Sequence, residues 1–203
     1  MSRYRGPRLR IVRRLGKLPG LTNKISKKLN PPGSQVSSNN RKLSQFNIRL
    51  REKQKLRYHY GVTERQLLNY IKKARKKKGS AGRLLLTFLE MRLDNIVFRL
   101  GFAPTIIAAK QLLTHGHILL NGKLVNIPSF ACQPKCILSV KNSSTSQTLV
   151  KKNMALSDNL LIPQHLTVNK ETLEAKVNSL VNRKSISLVV NELLVIEYYS
   201  RKL

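Results

Sequence analysis

Acidic residues are scarce in this chain of 203: nine Asp and Glu stand against 39 Lys and Arg, a formal net charge of +30. A chain so charged repels itself, and a polyanion is the expected neutralising partner. Nucleic acid fits best, because every phosphate met by Lys or Arg releases condensed counterions. An anionic membrane would call for a basic helix with a broad greasy face, and such helices usually carry Trp, which is absent. No stretch approaches the roughly 20 apolar residues of a membrane span. There are only two cysteines, Cys132 and Cys136, too few for a disulfide framework and consistent with a reducing compartment.

Catalytic wording is missing as well. No Ser-His-Asp set, phosphate-cradling Gly-Lys loop or carboxylate pair stands out, and nine acids leave little for acid–base chemistry. His115 and His117 lack a third ligand at finger or helical spacing, so a metal is not expected there. The sequence therefore implies no enzyme, no cofactor and no small-molecule substrate.

What is present divides unevenly. Residues 1–78 hold 24 of the basic residues and only Glu52 and Glu64 as acids; the remaining 125 residues hold most of the apolar ones. Residues 1–45 are broken by Gly6, Pro7, Gly16, Pro19, Gly20, Pro31, Pro32 and Gly33 and show no sustained apolar period. They read as an extended basic arm that orders against a partner, with one short helix near Arg8–Leu15. Met1 to Tyr4 fit a binding arm better than a transit peptide.

A helix is predicted over Asn47–Tyr60 and stopped by Gly61. Thr63 opens the next as N-cap with Gln66 in capping-box position, and Arg75–Lys78 suit the negative end of its dipole. Leu85, Leu89, Leu93, Ile96 and Leu100 recur at spacings of 4, 4, 3 and 4, predicting one helix from about Gly82 to Leu100. A further helix follows Pro104 and ends at Gly116. The period then changes: the Asn121-Gly122 pair predicts a hairpin, Ile127–Phe130 a turn into a strand, and Cys136–Lys141 another strand. Residues 142–165 read mostly as loop, and Asn169 to about Arg183 as a short helix. Asn191–Ser200 fits strand by composition or helix by its Asn cap.

The basic residues are the candidate nucleic-acid contacts. In the arm they are Arg3, Arg5, Arg8, Arg10, Arg13, Arg14 and Lys17, with Tyr4 among them; the competing reading is a solvated tail. Arg49, Arg51, Lys53, Lys55 and Arg57 line the next helix, where an exposed face is the bland alternative. Tyr58 and Tyr60 could stack on bases or pack in the core. Arg92 and Arg99 could pair with Asp94 or Glu90 nearby. Asn95 could hold a turn.

Residues 91–130, MRLDNIVFRLGFAPTIIAAKQLLTHGHILLNGKLVNIPSF, resemble the RNA-binding module of the family of small-subunit ribosomal protein four: RLDN…R-x-G, A-(R/K)-Q, the H…N-G hairpin, and I-P-S, in order. The flanks extend the likeness. RYRGPRLRIVRR resembles the family's N-terminus, LREKQKLRYHYGVTERQ the segment before the module, and NELLVIEYYSR the last turn; residues 141–185 look divergent. PPGSQ and the C-terminal wording resemble plastid members.

The resemblance implies an α+β chain with three parts. They are the arm over 1–45, a helical domain over 46–90 completed by 186–203, and an RNA-binding module over 91–185 with helices on an antiparallel sheet. It implies a structural constituent of the small ribosomal subunit that locks an RNA junction during assembly and supports decoding accuracy. Its partners would be small-subunit ribosomal RNA and neighbouring proteins, protein five among them, in the chloroplast stroma or alternatively a bacterial cytoplasm. Further RNA contacts implied are Arg92, Asn95, Arg99, Lys110, Gln111, His115 and Lys123. The zinc-binding cysteines of many bacterial members are missing from residues 1–60, so no metal is implied. Lys110 stands where many members have Arg, keeping charge but losing the bidentate fork. Competing readings are an architectural RNA- or DNA-binding protein outside the ribosome, and an RNA-modifying enzyme using the module as anchor. Residues 141–185 are too few for the catalytic domain that the latter needs.

Overall fold

The computed structural model describes residues 4–28, 30–33, 44–156 and 162–200. They form two compact units, the first running up to Leu85 and resuming at Leu188, the second covering Leu86–Ser187.

The first unit begins with α1 (Arg8–Leu15), after which the described residues as far as Gly33 form no helix or strand. This leader differs from expectation in one respect: it contributes to a core, with Ile11, Leu18 and Leu21 all buried. Next come α2 (Gln45–His59) and α3 (Glu64–Lys76). Ser44 caps α2 by accepting from the Asn47 amide, and Thr63 and Gln66 form the anticipated capping box on α3. α3 buries Leu67, Ile71 and Ala74 on one face, the leucine and isoleucine side chains worth about 1.5–3 kcal/mol each. The C-terminal segment settles as a helix, α8 (Glu192–Ser200), packed against α2.

The stripe over 82–100 is buried as the spacing requires, but it is carried by two helices, α4 (Ala81–Glu90) and α5 (Leu93–Arg99), not one. Arg92 is extended, and an isolated antiparallel bridge joins it to Ala131. The Cys132 amide donates to the Met91 carbonyl and the Leu93 amide to that of Phe130. Backbone pairing with a distant segment thus replaces helical bonding where periodicity gave no warning. The expected strand beyond Phe130 is reduced to that bridge.

In the second unit α5 packs against α6 (Ile106–Thr114), capped by Thr105 and stopped by Gly116 at φ +74°. An antiparallel sheet of five strands follows in the order β2-β1-β3-β5-β4, comprising β1 (Ile118–Leu120), β2 (Lys123–Leu124), β3 (Ile137–Val140), β4 (Leu166–Asn169) and β5 (Glu174–Val177). Asn121 and Gly122 take φ of +49° and +76°, the left-handed pair that a two-residue hairpin demands. The register aligns Leu120 with Leu138 and Leu138 with Ala175, so one face of the sheet is apolar and buried.

Two expectations about 141–185 are corrected. Ser144–Ala155 is a helix, α7, with Ser146 and Val150 buried; its Ser and Thr content, which favours loops, is outweighed by packing against β3. Asn169 to Arg183 is not a helix. Glu174–Val177 alternates exposed and buried, the period of a strand. The turn before it is set by the Asn169 carboxamide oxygen accepting from the Glu171 and Thr172 amides.

Candidate RNA-binding surface

In the arm, Tyr4, Arg5, Arg8, Arg10, Arg14 and Lys17 are exposed, while Arg3 lies outside the described residues. The Tyr4 ring meets Tyr58 edge-on at 5.5 Å, so Tyr58 packs within the protein; Tyr60 is fully buried. Arg13 turns inward. Its Nε donates to the Asn30 carbonyl at 2.8 Å and Nη2 to that of Pro31 at 3.3 Å, a clip closing the leader on itself.

On α2 the cations divide. Arg49 pairs with Glu197 at 2.7 Å and Lys55 with Glu52 at 2.5 Å. Lys53 is buried, reaching Glu64 at 3.0 Å and lying 4.9 Å from the Tyr198 ring centroid. Burial alone would raise the Glu64 carboxyl, but hydrogen bonds from Tyr199 and Lys53 outweigh it and hold the group below its ordinary value. Arg57 reaches the Gln54 side chain at 3.4 Å and the Tyr58 face, and its charge also acts on Glu64 from a distance. No ion pair among the described residues includes Arg51. Of the five, Arg51 and Arg57 are the two that form no ion pair among the described residues.

The motif residues of the second unit form an internal network. Arg92, 2% exposed, donates Nε and Nη2 to the two oxygens of Asp94 at 3.0 and 2.6 Å. Arg99 grips Glu90 in the same two-pronged way at 3.2 and 2.8 Å, and its third arm reaches the Ser187 hydroxyl. Asn95 donates to the carbonyl and the carboxylate of Glu90. Lys110 Nζ approaches Asp94 at 3.7 Å; burial pulls its pKa below the ordinary lysine value, with Asp94 opposing. Arg92 and Asn95 are thus in the interior, where they cannot be assigned to phosphate, and Arg99 presents little surface. Buried carboxylates hold them there, because an unpaired buried charge costs several kcal/mol.

Gln111, His115 and Lys123 are exposed, at the end of α6 and in the hairpin. His117 Nδ1 lies 2.9 Å from the Ser146 hydroxyl, which ties it to α7. Cys132 is buried, and burial pushes its thiol up to about 12, far from a reactive thiolate. Among the described residues no group of three or more His, Cys, Asp or Glu could hold a metal ion, and no helix is long and apolar enough to cross a membrane. Among the described residues the densest exposed charge lies at the end of α3, where Lys72, Lys73 and Arg75–Lys78 all face solvent.

Two family models match in succession: the ribosomal protein S4/S9 N-terminal domain over residues 3–90 and the S4 domain over 91–135. The chain is 67% identical to the small ribosomal subunit protein uS4c of Euglena gracilis, with both chains covered in full. The chain belongs to the ribosomal protein S4 family. Identity to the uS4c proteins of Mesostigma viride and Chlorokybus atmophyticus is 60% and 59%, over 100% and 99% of each chain. These alignments run through residues 141–185. The S4 domain is an RNA-binding module, and in this member it is organised around the Arg92–Asp94 and Arg99–Glu90 pairs.

Proposed function

We propose that this S4-family chain is a ribosomal-RNA-binding structural constituent of the small subunit of the plastid ribosome, holding a folded RNA junction by its phosphates. The observation that carries the reading is the way the charges are sorted. Glu52, Glu64, Glu90, Asp94 and Glu197 are all paired with cations of their own unit, so most of the few acids are engaged inside the units and the net excess of Lys and Arg stands against them. Cations displayed on a rigid scaffold favour recognition by shape and phosphate position over reading of base edges.

The contacts we assign are Tyr4, Arg5, Arg8, Arg10, Arg14 and Lys17 in the arm, Arg51 and Arg57 on α2, and Gln111, His115 and Lys123 in the module. Arg92, Asn95 and Arg99 act indirectly, by fixing α5 against the 128–132 loop and against Glu90. The arm, the helical unit and the module would grip adjoining RNA helices during assembly. The family resemblance adds contact with small-subunit protein five and a bearing on decoding accuracy. A separate catalytic role has no room, because residues 136–187 supply β3, α7, β4 and β5 of the module itself.

The test is filter binding of the full chain to transcripts of the plastid small-subunit ribosomal RNA and to duplex DNA of equal length, at matched salt. Tighter binding to the structured transcript is expected. Equal or better binding to DNA would move the protein to the architectural class.

A further inference from the structure

We infer that the C-terminal end of α3 is a separate phosphate-binding surface, whose occupant is the backbone of duplex RNA and whose contacts are Lys72, Lys73, Arg75, Lys76 and Lys78. This rests on the RNA-binding function proposed above, and names a surface to which neither that assignment nor the motif residues extend.

Composition isolates the tract. Between Glu64 and Glu90 lie eight basic residues and no acid. Placement then points it outward. At about 100° per residue, Arg75, Lys72, Lys76 and Lys73 spread over an arc of about 160°. Leu67, Ile71 and Ala74, each 0% exposed, occupy the opposite face. α3 ends at Lys76, and the chain leaves it extended at Lys77 before Gly79 turns it at φ +120°, so Lys78 projects beyond the last turn. All five side chains are exposed, and none takes part in an ion pair among the described residues.

The bland explanation is that cations suit a helix C-terminus, which carries roughly half a negative charge. That accounts for one or two. Here Lys72 and Lys76 stand four apart, and Lys72 with Arg75 and Lys73 with Lys76 three apart, spacings at which like charges repel. An arrangement that is unfavourable in the free protein and lacks internal carboxylates is matched by an external row of negative charge. A membrane surface fits worse, since the apolar face of α3 is already covered and nothing greasy remains to insert.

The experiment is a salt titration of ribosomal RNA binding by the full-length protein and by a variant in which Lys72, Lys73, Arg75, Lys76 and Lys78 are all changed to Gln, with circular dichroism confirming the fold. Each lost phosphate contact removes about 0.9 from the slope of log K against log salt. The variant is therefore expected to bind with a slope shallower by about 4.5, and the two curves should converge at high salt. Identical slopes would overturn the inference while leaving wild-type RNA binding intact; absence of wild-type binding would instead sink the parent function. Loss of binding to anionic vesicles with an unchanged RNA slope would replace RNA by a membrane as occupant. Should the fivefold variant unfold, Arg75→Gln with Lys78→Gln is expected to lower the slope by about 2 and decides in the same way.

Discussion

Arg92 lies in the RNA-binding module, yet its side chain is turned into the protein. Its guanidinium is held by Asp94 in a bidentate pair with almost no exposed surface. Removing one member of such a pair leaves the other charged and buried, so Arg92→Ala should cost about 3–5 kcal/mol in urea unfolding. An unchanged midpoint, together with a shallower salt slope for RNA binding, would return Arg92 to the contact surface. His165 offers a pH-dependent test at the same scale. It is 4% exposed, and neither ring nitrogen has a hydrogen-bond partner among the described residues. Burial lowers its pKa, with Glu90 opposing and Arg99 adding to the effect. In the window between its folded value and about 6.5, the unfolded chain binds the proton more readily. Stability is therefore full above that window and falls as pH drops through it, by at most about 1.4 kcal/mol per pH unit for one group. Denaturant titrations from pH 7.5 to 5 should show a shallower decline in His165→Phe than in the parent. Parallel curves would mean that the histidine is protonated without cost.

At the scale of elements, the leader is both contact arm and core. Ile11, Leu18 and Leu21 are buried although Gly and Pro interrupt the segment. A protein whose first 33 residues are deleted should keep its helical signal yet melt at lower temperature, because the apolar surface they cover is returned to water. It should also bind RNA less tightly. Circular dichroism melts beside filter binding check both; an unaltered melt would mean that these leucines do not support the helical unit. The broken helix α4–α5 carries a related lesson. Its five-residue apolar stripe is continuous, so the sequence gives no sign of the interruption at Met91–Arg92. The break follows from backbone pairing with residues 130–132, nearly forty positions downstream.

For the molecule as a whole, the numbers of positive and negative charges matter less than their allocation. Five of the nine acids hold basic residues inside their own units. Each such pairing consolidates the scaffold and leaves the chain with a large net positive charge, as an RNA clamp requires. The α3 tract is the extreme of this sorting, and the exposed arm carries the same logic into the leader.

The amino-acid order alone determined the charge imbalance, most of the helices, the Asn-Gly hairpin and the motif string that marks the family, because each depends on composition or on residues a few positions apart. Periodicity also held the strand at Glu174–Val177, although helix-forming residues masked it. Tertiary structure decided which arginines face solvent. Glu90 and Arg99 are nine residues apart, outside the three- and four-residue spacings of a helix face, and meet only because the chain breaks between them. Whether a cation is a clamp on RNA or a strut in the core depends on the carboxylate that folding brings beside it, and that proximity is a property of space and not of the string.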